Sequence, residues 1–154
     1  MSSPHTDNKY GPGKITKSTA SKLFMNAKSL YDNSGKLVNM PRGSDCSPPP
    51  LGWLMSEKFD GYRAIWDGQN FVSRSGNIFE APESFKLWLP DNVVLDGELF
   101  LGRQCFEKCG IFRRKIPDEK EWKKLKVQYH IFDAPKHKGL FEERVEFIKT
   151  LIKQ

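Results

Sequence analysis

The sequence predicts an α+β fold, on three observations. The stretch from Trp53 to Phe100 alternates in residue type and is cut by Asp60-Gly61, Asp67-Gly68 and Gly76-Asn77, the pattern of short strands rather than long helices. Helical periodicity is confined to Ile15–Tyr31, to short segments after Ala81 and Pro117, and to the C-terminal segment. Strands and helices follow in mixed order, without the regular alternation of a parallel α/β sheet. The 154 residues, 38% hydrophobic with 12 glycines, suit one domain of ordinary size and are too apolar for a disordered chain.

Residues 1–14 are polar and turn-rich (Gly11-Pro12-Gly13) and are expected to form a flexible tail. Ile15–Tyr31 holds no glycine or proline, and Ile15, Leu23, Phe24, Ala27 and Leu30 give a loose helical period. Residues 32–50 read as loop, because Asn33, Gly35, Pro41, Gly43 and Pro48-Pro49-Pro50 forbid sustained structure. Residues 1–50 are thus an N-terminal extension ahead of a domain at 51–154. A strand over Trp53–Lys58 is expected, then another over Tyr62–Trp66. Asp67-Gly68 predicts a type I′ hairpin turn, which needs positive φ at both central residues, with Phe71–Arg74 as the return strand. Pro82–Leu89 reads as a short helix starting on a proline, and Val93–Phe100 as a strand with two acids and a glycine inside it. Asp118–Lys126 reads as a helix, acidic first and basic last. Val127–Phe132 is a strand ending at Asp133-Ala134-Pro135. The last segment predicts a helix with Phe141, Val145, Ile148 and Ile152 on one face.

Composition narrows the function classes. The chain carries 25 Lys and Arg against 19 Asp and Glu, a formal +6, with a pI near 9.2. Residues 1–50 hold seven bases and three acids, residues 51–112 six and nine, and residues 113–154 twelve and seven. An acidic middle between basic flanks suits a metal- and nucleotide-binding centre beside an anionic polymer. Ordinary variation of surface charge accounts for it equally. No apolar run nears the ~20 residues of a membrane helix, so no membrane partner is expected. Three cysteines cannot all pair within one chain, and Met1-Ser2-Ser3-Pro4-His5 lacks a signal-peptide core. A reducing intracellular setting (nuclear, cytoplasmic or viral) is expected. Cys105 and Cys109 with His130 and His137 lack zinc-knuckle spacing and read as ordinary thiols and histidines.

The residues able to do chemistry fall in three segments. Lys58 stands beside a turn in Glu57-Lys58-Phe59-Asp60-Gly61-Tyr62-Arg63, Asp96 and Glu98 interrupt Val93–Phe100, and Asp133 follows Ile131-Phe132. A lysine beside a turn is ordinarily a solvated residue. Half-buried carboxylates, by contrast, require cationic partners or a metal. An unprotonated lysine, favoured by desolvation or nearby positive charge, can attack an α-phosphate. The product is a phosphoramidate, and a metal neutralises the departing pyrophosphate.

Lys58-x-Asp60-Gly61-x-Arg63 resembles the nucleotidyl-lysine motif of DNA ligases, RNA ligases and mRNA-capping enzymes. The longer run Gly52–Gly68 is similar to the opening of the compact ATP-dependent DNA ligases of bacteria and some viruses. Ser73-Arg74-Ser75-Gly76-Asn77, Ala81-Pro82, Leu95–Arg103, Phe106-Glu107, Tyr129–Pro135 and Gly139–Arg144 fit the same family in order. Coverage runs from about residue 51 to the end, and weakly over Leu23–Asp32.

The resemblance implies a nucleotidyltransferase-type fold of antiparallel sheets with flanking helices, using ATP and Mg²⁺ to seal nicked double-stranded DNA in replication, repair and recombination. Lys58 would carry AMP. Arg63 would contact the ribose, Glu98 the ribose hydroxyls or the metal, and Asp96 would support that strand. Phe132 would stack on adenine. Arg74 would lie near the AMP and the 5′-phosphate of the nick, and Glu57 borders the adenine. Arg113 and Arg114, with Lys115, Lys120, Lys123, Lys124 and Lys126, would grip the DNA backbone, although a solvated surface explains them as well.

The family continues into a strand carrying a metal-binding Glu-Gly pair, a strand with two phosphate-contacting lysines and an OB-fold domain, none of which occurs here. The chain therefore reads as the first part of an adenylation domain, whose missing motifs a second chain could supply. Residues 1–154 are expected to adenylate weakly or not at all alone. The alternatives are an RNA ligase or GTP-using capping-type enzyme, or a non-catalytic nucleic-acid-binding remnant. The oligomeric state is left open.

Overall fold

In Tyr62–Trp66 (β1), Tyr62, Ala64 and Trp66 face one side of a sheet, and Ile65 the other. That alternation lets one short strand contribute to two apolar layers. The structure is a computed structural model describing residues 15, 17–24, 34, 54 and 56–152. Two compact units make up the chain, Met25–Lys58 and Met1–Phe24 with Phe59–Gln154.

In the smaller unit, Ser56, Glu57 and Lys58 are exposed and irregular. The strand expected over Trp53–Lys58 is not formed at these residues, and residues 51–53 and 55 lie outside the described set. Ser56, Glu57 and Lys58 carry no apolar alternation that would favour a strand.

The larger unit holds an antiparallel five-stranded sheet in the order β3-β2-β1-β4-β5. Its other strands are Phe71–Ser73 (β2), Ile78–Phe79 (β3), Leu95–Phe100 (β4) and Gln128–Asp133 (β5). The β1–β2 connection is a four-residue loop rather than a two-residue type I′ turn, since Trp66 pairs directly with Phe71. Asp67 Oδ1 accepts the N–H groups of Gln69 and Asn70 at 2.9 and 2.7 Å. A side chain thus closes the turn, and only Gly68 takes positive φ, at 101°.

The helices are Lys17–Leu23 (α1), Glu83–Lys86 (α2), Glu119–Lys124 (α3) and Phe141–Ile152 (α4). The expected helix over 15–31 is described only through Leu23; residues 25–31 and most of the expected loop at 32–50 lie outside the described residues. α3 starts as its sequence implies, with Asp118 accepting from the backbone of Lys120 and Glu121. The eight-residue 3-10 helix Phe106–Arg113 has no counterpart in the sequence reading. Its buried Cys109, Ile111 and Phe112 are too closely spaced to give an α-helical period.

On one sheet face, Trp66, Phe71, Leu95 and Leu99 pack with Phe112, Trp122 and Ile148 from the helices. Tyr129 crosses this core edge-on to Phe71 at 4.9 Å and donates to the carbonyls of Ala64 and Leu95. Burial raises its phenol well above the usual range. Gly97 makes room: a Cβ there would stand 2.7 Å from the Tyr129 ring and 2.5 Å from the His130 carbonyl oxygen. On the opposite face, Ile65, Val72 and Val94 meet Ile15, Leu23 and Phe24.

α4 turns differently from expectation. Ile148 is buried, with Phe147 and Leu151 against the core, whereas Ile152 is 68% exposed. Arg144 also turns inward, its guanidinium reaching Asp133. Among the described residues, no helix is long and apolar enough to cross a membrane.

Candidate active site

The sheet face bearing Ile65 also carries an ion pair. Arg63 on β1 binds Asp96 on β4 through two hydrogen bonds, Nε to Oδ1 at 3.1 Å and Nη2 to Oδ2 at 2.6 Å. The Asp96 side chain is fully buried and that of Arg63 nearly so. Burial pushes the Asp96 carboxyl up, against the hydrogen bond and charge of Arg63; Asp133 adds to the rise, and Arg74 opposes it. Two parallel N–H···O bonds in such a setting fix the guanidinium plane.

That plane is bordered by aromatic rings. The Arg63 guanidinium carbon lies 5.1 Å from the Phe24 centroid and 5.2 Å from that of Phe132, within cation–π range. A β-bulge on β5 brings Phe132 there. Asp96 pairs with Asp133 and Gly97 with Ile131, which leaves Phe132 as the extra residue.

Glu98 sits opposite Arg63 in the β1–β4 register and is half-buried. Its Oε1 accepts the Gly61 N–H at 3.2 Å. Magnesium is typically held by one or two carboxylates and substrate phosphates. Glu98 fits that single-carboxylate role, while Asp96 is committed to Arg63. Among the described residues, no group of three His, Cys, Asp or Glu is assembled to hold a metal alone.

Asp133 has a separate task. It binds Arg144 at 2.6 and 3.2 Å and accepts the Ala134 N–H at 2.8 Å, and Arg144 also donates to the Gly139 carbonyl. This network ties α4 to the end of β5, and hydrogen bonding to Asp133 raises the Arg144 pKa.

The chain is 36% identical over 102 residues to a DNA ligase of Haemophilus influenzae, covering 66% of this chain and 37% of that protein. A solved structure from work on Lig E DNA ligases, concerned with DNA binding by a minimal scaffold, matches with a TM-score of 0.56 at 33% identity. That match covers 64% of this chain and 38% of the other. The resemblance to DNA ligases holds in both sequence and structure. The chain spans little more than a third of the length of these relatives. No family model matches it.

Of the sequence-predicted residues in this ligase-like chain, Arg63, Asp96, Glu98 and Phe132 gather on one sheet face. Arg74 is exposed in the β2–β3 turn, with its charge felt at Asp96. Glu57 and Lys58 are exposed in the smaller unit. The two arginines of the basic cluster differ. Arg113 is exposed with its guanidinium over the Tyr62 ring at 4.9 Å, whereas Arg114 is engaged by Glu121 on α3.

Cys109 is buried, and its thiol is pushed up to about 11, first by burial and then by Asp60, Cys105 and Glu98. Such a thiol is core. A concavity of about 630 Å³ beside α2 and α3, lined by Phe85, Leu87, Trp88 and Trp122, carries Lys123 and Lys126 of the basic cluster and none of the predicted nucleotide-binding residues.

Two features escaped the sequence reading. Phe24, assigned only to a helix period, borders Arg63. His130, weighed only as a weak zinc ligand, stacks on Phe59 at 4.1 Å and meets Phe100 edge-on. The available signal was alternation: His130 lies two residues before Phe132 and across from Glu98.

Proposed function

We propose that this chain carries the nucleotidyl-transfer part of an ATP-dependent DNA ligase, with residues 51–154 forming the first portion of a nucleotidyltransferase-type adenylation domain. The observation that carries the reading is the buried Arg63–Asp96 pair, flanked on one sheet face by Glu98 and Phe132. A core strand gains little from a buried charge that hydrophobic residues could replace. A fixed guanidinium beside a half-buried carboxylate and a flat ring suits a nucleotide.

In this reading the Lys58 amine, having given up its proton, attacks the α-phosphorus of ATP. A P–N bond forms as the bond to the bridging oxygen breaks, and pyrophosphate leaves with that electron pair. Arg63 orients the ribose, Phe132 stacks on adenine, Glu57 borders it, and Glu98 holds the ribose hydroxyls or a magnesium ion. Magnesium, when bound, supplies charge neutralisation at the phosphates. AMP then passes to the 5′-phosphate of a DNA nick, near Arg74, and the 3′-hydroxyl displaces it. Arg113, exposed on the surface, offers its charge to the DNA backbone. Arg114, already paired, contributes less.

The test is labelling with ATP or GTP carrying a labelled α-phosphate, with Mg²⁺. Because the nucleophile is in this chain, slow and substoichiometric labelling from ATP is expected. Labelling from GTP alone would transfer the reading to a capping-type enzyme, and label retained in Lys58→Ala would overturn the role of Lys58.

A further inference from the structure

We infer that His130 and Phe100 form a clamp on Phe59 that positions the main chain leading to Lys58. The two are thus positioning residues for the lysine nucleophile. Their catalytic meaning rests on the function proposed above, but the clamp itself does not.

Three rings make the clamp. Phe59 stacks on His130 with centroids 4.1 Å apart and planes 25° from parallel. Phe100 meets Phe59 at 5.2 Å and His130 at 5.3 Å, both edge-on. His130 and Phe100 stand on the paired strands β5 and β4, and His130 Nε2 is 2.8 Å from Gln128 Oε1. The ring is therefore held from behind as well as by stacking.

Two residues along, Gly61 is held too. Its N–H donates to Glu98, and a Cβ there would stand 2.2 Å from the Leu99 carbonyl oxygen. The segment Phe59-Asp60-Gly61 is consequently pinned at both ends to β4 and β5 while Asp60 stays exposed. Lys58, exposed and irregular, is joined to Phe59 by one peptide bond. An exposed aromatic ring loses nothing by staying loose in water. One packed between a histidine and a phenylalanine removes rotational freedom from the backbone that bears it. A nucleophile on a long, flexible side chain gains most from such a fixed base, because attack requires a narrow range of positions.

The clamp needs a flat ring at position 130, not an imidazole. Trypsin cuts after lysine, so cleavage of the Lys58–Phe59 bond in the full chain reports how firmly the segment is held. His130→Ala and Phe59→Ala should each speed that cut roughly three- to tenfold relative to cuts elsewhere. His130→Tyr should restore the wild-type rate, with melting temperatures showing that all variants are folded. An unchanged cleavage rate in folded His130→Ala would overturn the clamp.

Adenylation provides the second readout. With ATP, His130→Ala should slow AMP uptake with KM for ATP unchanged, and His130→Tyr should rescue it. A rise in KM without a change in rate would contradict a positioning role. If the wild type takes up no AMP on its own, proteolysis still decides the clamp.

Discussion

Arg63 does the most for this site per atom. It neutralises a fully buried Asp96, spans β1 to β4, and presents its guanidinium to Phe24 and Phe132. Replacing it by methionine keeps the apolar stem but strands the carboxylate. The expected cost at neutral pH is about 3–5 kcal/mol in chemical denaturation. The pH dependence gives a second check. Burial already raises the Asp96 carboxyl, and removing Arg63 takes away the largest opposing influence. In Arg63→Met the native state therefore binds the Asp96 proton at higher pH than the unfolded chain does, so stability rises as pH falls. The deficit against wild type should shrink between pH 7 and pH 5, and a constant deficit would contradict a stranded carboxylate. The sequence disclosed that Asp96 and Asp133 needed partners, because acids inside apolar strands do. It did not disclose which cations supply them. Arg63 was expected to contact a ribose, and Arg144 appeared only as part of a helix start. Partner choice depends on sheet register and helix rotation, which local pattern does not encode.

Elements followed the pattern wherever a local signal was strong. Tyr62–Trp66, Leu95–Phe100, Gln128–Asp133 and the capped α3 fall close to expectation, because alternation and an acidic N-cap are local signals. The expectations that failed lacked such signals. Ser56-Glu57-Lys58 has no apolar alternation, the 3-10 helix no regular period, and the Asp67 loop relies on a side-chain hydrogen bond. α4 shows tertiary override most plainly, since its inward arginine and exposed Ile152 depart from an apparently simple apolar face. Arg144→Met should release that tie, leaving Asp133 with little beyond the Ala134 N–H. Amide exchange across residues 141–152 is expected to accelerate more than in β1 and β4. Equal protection in variant and wild type would mean that Ile148, Phe147 and Leu151 hold the helix unaided.

At the scale of the molecule, the sheet divides its labour between faces. One face is filled by aromatic and aliphatic packing; the other combines a small apolar cluster with the Arg63, Asp96, Glu98 and Phe132 group. The acidic excess over residues 51–112 was legible in the sequence. The sheet's two-sided architecture was not, because alternation shows that a strand has two faces without showing what covers each. The DNA-ligase resemblance was legible from spaced motifs, and a relative 36% identical over 102 residues and a solved ligase structure bear it out. The central claim is that Lys58 is the nucleophile, and peptide mapping by mass spectrometry after incubation with ATP and Mg²⁺ tests it most directly. The account predicts one AMP, acid-labile as a phosphoramidate is, on Lys58 in a minor fraction of molecules and absent from Lys58→Ala. An AMP adduct on another residue, or one that persists in Lys58→Ala, would contradict it.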